Sequence, residues 1–394
     1  MHDPAVAARP HMAALADELK RAGAIRSTPW ARAFATIPRH VFVPTWFAQE
    51  TNEQGITVWR QQRATKSPEH LAAAYRDDTL VTALDPKTAE QVDDTAWTGI
   101  PTSSSTLPSL MAGMLEDLDV KSGHRVLEIG TGTGYNAALL CARLGDRLVH
   151  SVDIDPALVE AAQDRLAQLV YMPRLVVGDG RLGNPAEDKF DRIIATCSVP
   201  ATDLPTAWIE QTVTGGLIVA DLVLGIEGGI VRLTVDDDHR ATGRFTATAG
   251  RFMAARGDAQ TYPTANRAPL APEASSRQTT LTAADFRAHY PLRLLVSAHL
   301  PGTELVYHVE DTTTSVQLQR TDGSWARIPL TGDHTSTVTY GGDPELWQRA
   351  EAAWQWWNEH GRPTHGTFGY TREADGAVAL WHETSGARWA ITNP

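Results

Sequence analysis

Five consecutive hydroxyl side chains, Thr102, Ser103, Ser104, Ser105 and Thr106, lie between two prolines in GIPTSSSTLP, residues 99–108. Hydroxyls at this density hold an anionic group by hydrogen bonds without neutralising it. About twenty residues further on, VLEIGTGTGYNAALL places Gly130, Gly132 and Gly134 where a buried strand meets a helix. A chain reversal that also lets a ligand approach the backbone needs residues without a Cβ. The next apolar run ends at Asp153, an acid placed to take the two hydroxyls of a ribose. A third run ends in GDG, where Asp179 is placed to accept from an adenine amino group.

Each signal has a plainer reading. A G-x-G-x-G turn is shared by nucleotide folds and ordinary tight turns. A dinucleotide dehydrogenase would want G-x-G-x-x-G with a pyrophosphate at the helix N-terminus, and position 135 is Tyr. The hydroxyls would also serve as caps for the helix opened by Pro108. Cys141 and Cys197 have no metal or redox spacing and read as buried small hydrophobes, so no metal site is expected. His40 and His365 are given no role.

The elements that must position these groups follow from periodicity. Residues 11–24 form a helix with Met12, Leu15, Leu19 and Ala22 on one side. A short helix stops at Pro38, and an extended run follows it. Residues 45–75 and 86–100 are polar with little periodicity, and a strand lies between them in AAAYRDDTLVTALDP. From Pro108, helix and apolar strand alternate to about residue 235, which means a parallel sheet covered on both faces. Residues 255–280 are rich in Pro, Ala, Ser and Thr and read as a linker or long loop. Strand-like LRLLVSAH, ELVYHVE and SVQLQR come next. A helix then carries Leu346, Trp347, Ala350, Trp354 and Trp357 on one face, which leaves Trp356 for exposed contact. A hairpin turning at Asp375 and Gly376 closes the sequence.

Composition bounds the function. The 394 residues suit two domains, or one with an appendage, and 42% hydrophobic content supports a core. A net charge of −12 argues against wrapping nucleic acid and disfavours an anionic membrane surface. The start lacks a signal-peptide pattern, and no run reaches the roughly 18 apolar residues of a span. A cytoplasmic location is expected.

The succession of motifs resembles the Rossmann-like S-adenosylmethionine-dependent methyltransferases. Within them, the chain is similar to the protein-L-isoaspartate O-methyltransferases. The resemblance rests on IPRHVFVP, YRDDTL, TSSSTLPSLMAGMLEDL, VLEIGTGTGY, GDG, FDRIIAT and GG, in that order, over roughly residues 11–235. It implies S-adenosyl-L-methionine as cofactor, held by Glu128, Gly130, Thr131, Gly132, Asn136, Asp153, Asp179 and Gly180. It also implies a carboxyl O-methyltransferase with a peptide substrate. Thr106 falls at the family's serine before the proline, Ser104 at its threonine and Ser103 in place of its glutamine. Thr106, Ser104 and Ser105 are therefore the candidate catalytic residues.

Some 160 residues follow the methyltransferase portion, and extra sequence at 45–72 and 86–100 lies on the approach to the substrate cleft. This enlarged architecture resembles the methyltransferases that accompany ATP-grasp peptide maturases. The ending RPTHGTFGYTREADGAVALWHE is similar to theirs. That resemblance implies methyl esterification of an aspartate in a crosslinked ribosomal peptide (a graspetide), followed by aspartimide closure. Repair of isoaspartyl damage is the alternative, and a non-catalytic cofactor- and peptide-binding scaffold is another. The expected fold is α/β, a Rossmann-like sheet with helices on both faces plus an appended α+β domain. Its expected parts are an N-terminal helical and cleft segment 1–107, a cofactor-binding core 108–250, a linker 251–280 and an accessory domain 281–394.

Overall fold

The computed structural model describes residues 4–52, 55–187, 189–258, 267–310, 313–330 and 336–392. It forms two compact units. The first holds Met1–Cys197, Pro205–Val219 and Thr248–Tyr262, and the second Ser198–Leu204, Ala220–Ala247 and Pro263–Pro394.

The first unit opens with helices α1 (Pro4–Arg21), α2 (Thr28–Thr36) and α3 (Arg39–Phe42). Met12, Leu15, Ala16 and Leu19 form the buried side of α1, while Ala22 lies beyond the helix and is exposed. The run after Pro38 is a helical turn rather than extended chain, because Pro38 ends one helix and serves as the N-cap residue of the next. Strands β1 (Thr45–Thr51) and β2 (Thr57–Arg63) make an antiparallel hairpin, with Thr45 opposite Arg63. Then come α4 (Pro68–Ala73), β3 (Leu80–Leu84), β4 (Gln91–Asp93), β5 (Ala96–Trp97) and β6 (Pro101–Ser105). These strands form one sheet in the order β4-β5-β2-β1-β3-β6. Except at Trp46 and Val58, β1 and β2 are half-exposed or exposed, so these strands lack the apolar alternation by which strands are recognised.

The hydroxyl run is β6 itself, the edge strand paired antiparallel with β3. Helix α5 (Pro108–Asp117) follows, with Leu110, Met111, Met114 and Leu115 buried. The alternating portion continues through β7 (Val126–Ile129), α6 (Tyr135–Leu144), β8 (Val149–Asp153), α7 (Pro156–Gln168), β9 (Arg174–Val177), β10 (Phe190–Pro200), α8 (Thr206–Glu210) and β11 (Thr212–Val223). Their order is β9-β8-β7-β10-β11, and β10, β7, β8 and β9 are mutually parallel.

In the second unit, residues 220–223 of β11 lead to β12 (Gly228–Val235) and β13 (Ala241–Phe245). The sheet is antiparallel from β12 through β13, β19 (Phe368–Arg372) and β20 (Val378–His382) to β21 (Arg388–Ile391). The expected hairpin is β19–β20, with Gly376 at φ +88° in its turn. A second sheet runs β14-β18-β17-β16-β15, built from β14 (Ser275–Thr279), β15 (Glu304–Glu310), β16 (Thr313–Gln319), β17 (Trp325–Pro329) and β18 (Ser336–Gly341). Helices α9 (Ala283–Ala288), α10 (Tyr290–His299) and α11 (Leu346–Glu359) complete the unit.

Here three expectations change. LRLLVSAH is α10, a helix buried on nearly all sides through Leu292, Leu294, Leu295, Val296 and Ala298. A short continuous apolar run does not distinguish a buried helix from a buried strand. Within 251–280, residues 259–266 lie outside the described residues and Ser275–Thr279 is a strand. Trp356 is not an open contact: it stacks on His360 at 4.0 Å and meets Trp389 and His382 edge-on at 5.0 and 5.3 Å. The stripe of α11 holds at Leu346, Trp347, Ala350 and Trp357, while Trp354 is half-buried.

Candidate active site

A cavity of about 330 Å³ in the first unit is lined by all eleven residues singled out in the sequence. Thr106, Ser104 and Ser105 come from the strand β6 and its continuation. Glu128, Gly130, Thr131, Gly132 and Asn136 come from the β7–α6 turn, Asp153 from the end of β8, and Asp179 and Gly180 from the turn after β9.

The turn requires its glycines. Gly130 has φ +96°, and a Cβ there would lie 2.6 Å from Thr196 Oγ1. Gly134 has φ +85° and packs on Ala162, 3.0 Å from where its Cβ would be. Thr196 holds the turn by donating to the carbonyls of Ile129 and Gly130 at 3.1 and 2.8 Å.

Beneath the turn lies a closed polar network. In the parallel register Glu128 neighbours Ser151, whose hydroxyl donates to Glu128 Oε2 at 2.5 Å. Asn136 Nδ2 donates to Glu128 Oε1 at 2.7 Å. Thr131 Oγ1 is 2.7 Å from Ser151 Oγ, and since the Ser151 proton is committed, Thr131 is the donor there. Both oxygens of the fully buried Glu128 thus serve to order the turn. Burial lifts its carboxyl to about 7, against the two hydrogen bonds that favour the charged form.

A measurable pH dependence follows. The unfolded chain releases this proton near its ordinary value of 4.5 and the folded chain near 7, so the folded state binds the proton more tightly between those values. Its contribution to stability is largest at low pH and is lost as the pH rises through that window, in total by about 3 kcal/mol. Glu128→Gln is expected to lose that part of the slope between about pH 5 and 7, read from denaturant midpoints. A variant with the same slope as the wild type would contradict the assignment.

Asp153 accepts one backbone N–H on each oxygen, from Gly132 at 2.8 Å and from Asp155 at 3.1 Å. Each oxygen keeps a second lone pair for a ligand. Burial holds its carboxyl above the ordinary range, against these two bonds. Asp155 instead caps α7 by accepting from Ala157 N at 2.9 Å. Asp179 is already engaged: Arg181 approaches it through both Nε and Nη2, at 3.0 and 2.7 Å. This ion pair holds its carboxyl below the ordinary range.

The hydroxyl strand divides by its own period of two. Ser103 and Ser105 are buried, while Thr102, Ser104 and Thr106 are half-exposed. Ser103 Oγ accepts from Thr82 Oγ1 at 3.1 Å, and Ser105 Oγ accepts from Arg39 Nε at 3.3 Å. Ser105 is therefore tied to the support of the strand, apart from Ser104 and Thr106. None of the five hydroxyls caps α5. Its N-cap residue is Leu107, without a side-chain bond, and Asp77 Oδ1 accepts from Ser109 N at 2.8 Å.

Several lining residues carried no sequence signal. Residues 251–256 line this cavity, bringing Phe252 and Met253, although the expected linker was drawn from residue 251. Cys197 is half-buried and lines the cavity rather than the core. Ser151 was legible only as the residue two before Asp153 on one strand face.

The pattern of the family described as Protein-L-isoaspartate(D-aspartate) O-methyltransferase (PCMT) matches residues 87–247. The Protein-L-isoaspartate O-methyltransferase of Xanthobacter autotrophicus is 47% identical over 116 residues, 29% of this chain and 51% of the relative. The chain thus spans about half the length of that relative. The protein of the same name from Thermococcus onnurineus is 31% identical over 206 residues, covering 52% of this chain and 74% of the relative. A solved structure named protein-L-isoaspartate O-methyltransferase superposes with a TM-score of 0.52 at 23% identity, over 94% of this chain and 98% of that one. The last match gives the fold, that of the class I S-adenosylmethionine-dependent methyltransferases with added α+β structure. With that fold, these motifs and the 31% identity over 74% of a relative, the chain belongs to the protein-L-isoaspartate (D-aspartate) O-methyltransferase family.

Proposed function

We propose that this chain is an S-adenosyl-L-methionine-dependent carboxyl O-methyltransferase acting on an isoaspartyl residue in a peptide or protein. The observation that carries the reading is one cavity bringing the β7–α6 turn and Asp153 together with two hydroxyls, those of Ser104 and Thr106, that have no hydrogen-bond partner among the described residues.

The residues present fit the cofactor. Asn136 Oδ1 is a buried acceptor without a partner, suited to the ammonium of an amino acid. Glu128 accepts from the amide nitrogen and so turns this oxygen the other way. Asp153 has two lone pairs left for ribose hydroxyls. Asp179 would meet an adenine amino group only once Arg181 gives way. The cofactor supplies an electrophilic methyl group on a sulfonium.

The chain's own task is to orient a nucleophile. A carboxylate is ionised at neutral pH, so its methylation requires no general base. It requires one oxygen in line with the methyl and stripped of water. Ser104 and Thr106 donate to the other oxygen. Val81, Met111 and Phe252 line the same cavity and exclude water from it. A hydroxyl holds the carboxylate more weakly than a contacting arginine would, leaving it nucleophilic.

A second reading, methylation of an ordinary aspartate in a crosslinked ribosomal peptide, draws on the sheet that ends in β6. Its strands β1, β2, β4 and β5 are built from the added sequence, and additions at a substrate mouth favour a narrow specificity. The C-terminal length does not favour it, because a chain named for isoaspartate methylation matches 94% of this one.

Mass spectrometry decides. Paired isoaspartyl and aspartyl peptides are incubated with the cofactor. Methyl gain on the isoaspartyl peptide alone, with release of S-adenosylhomocysteine, is the expected result. Inactivity on both, with methyl gain and then methanol loss on a crosslinked precursor, would establish the second reading. Cofactor binding without any S-adenosylhomocysteine release would make the chain a scaffold.

A further inference from the structure

Arg39 is fully buried behind the hydroxyl strand. Its Nε donates to Ser105 Oγ at 3.3 Å. Nη1 donates to the carbonyls of Ala74 and Arg76 at 3.2 and 2.9 Å. Nη2 reaches the carbonyls of Asp78, Ser105 and Thr106 at 2.9, 3.3 and 3.2 Å. All six partners are neutral oxygens, five carbonyls and one hydroxyl.

Burying a charge on neutral hydrogen-bond partners is a costly way to pin a loop, and the carboxylates of Asp77 and Asp78 offset only part of that cost. The charge is retained even so. Burial lowers the guanidinium only to about 10, and Tyr135, Asp77, Asp78 and Tyr75 pull the other way. Two of its acceptors are the carbonyls of Ser105 and Thr106. Along the run Ser104 and Thr106 are half-exposed and Ser103 and Ser105 buried, and all four line the cavity. A cation therefore holds the backbone of the same strand segment that carries the two open hydroxyls, bonding it through the buried Ser105.

We propose that Arg39 is a specificity-determining residue, a buried cation that selects a carboxylate over its amide at Ser104 and Thr106 without touching it. This rests on the proposed carboxyl methyl transfer. It resolves a conflict inside that reaction. A contacting arginine would draw the carboxylate in and blunt it. A cation one strand away attracts the anion through a medium of low polarisability and leaves both oxygens to the hydroxyls and the methyl. Across one strand, at an effective dielectric constant of about 20, this attraction is worth roughly a tenfold change in affinity or more.

The test uses calorimetry on the full chain with S-adenosylhomocysteine bound, and two peptides that differ only in carrying an isoaspartyl carboxylate or its amide. The wild type is expected to prefer the carboxylate. Arg39→Met is expected to lower that preference about tenfold with S-adenosylhomocysteine affinity unchanged, and Arg39→Lys to keep most of it. A purely structural arginine would weaken both peptides together and leave the ratio intact in Arg39→Met, which would overturn the proposal. Should Arg39→Met not fold, the wild type decides through salt. A buried cation is little screened, so the ratio is expected to persist at high ionic strength, whereas its collapse would assign the preference to surface charges and overturn the proposal. A wild type that binds neither peptide would refute the isoaspartyl reading itself, and this inference with it.

Discussion

Thr106→Val is expected to lower turnover about 10²-fold while S-adenosylhomocysteine affinity and thermal stability stay near the wild-type values. The substitution keeps the shape and deletes the hydroxyl. The structure makes this a clean variant. Thr106 is half-exposed, its hydroxyl lies outside the cap of α5, and it shares a strand face with Ser104. Nothing in the fold leans on that hydroxyl, so loss of activity would report on the substrate alone. Thr106→Ser keeps the donor and is expected to retain much of the activity. Ser105→Ala belongs to a different class: it removes an acceptor from Arg39 and should lower stability by about 1 kcal/mol. Steady-state kinetics with melting curves for the three variants separates these roles. A fully active Thr106→Val would move the orienting role to Ser104.

Asp153→Ala is expected to weaken S-adenosylhomocysteine binding by about 10²-fold or more, measured by calorimetry. Charge-assisted hydrogen bonds to two ribose hydroxyls are each worth roughly 1.5–3 kcal/mol. The alanine also frees the amides of Gly132 and Asp155, so the turn itself loosens. Asp155→Ala serves as the control. It removes the cap of α7 and should cost about 1 kcal/mol of stability with binding nearly intact. Wild-type affinity in Asp153→Ala would mean that the ribose lies elsewhere in the cavity.

The sequence alone carried the alternating strands and helices, the glycine turn, the acid that ends β8, the acid in the turn after β9, and the hydroxyl run. These are local signals. Gly130 and Gly134 occupy conformations that side chains avoid, and apolar periodicity marks elements whose burial is regular. What depended on contacts between distant residues was not legible. Except at Trp46 and Val58, β1 and β2 are half-exposed or exposed and show no alternation, so only their pairing makes them strands. α10 is buried on nearly all sides, and its apolar run fits either kind of element until its neighbours are placed. Trp356 looked open because it lies off the stripe of its own helix, but it is covered by His360, His382 and Trp389 from further along the chain. Residues 251–256 fall within the expected linker 251–280 and yet line the cavity. Within the hydroxyl run itself, the sequence singled out Thr106, Ser104 and Ser105 without separating their roles. The tertiary structure divided them, because a strand turns alternate side chains to opposite faces, and only the folded chain buries Ser103 and Ser105, sets Arg39 on Ser105 and leaves Ser104 and Thr106 half-exposed.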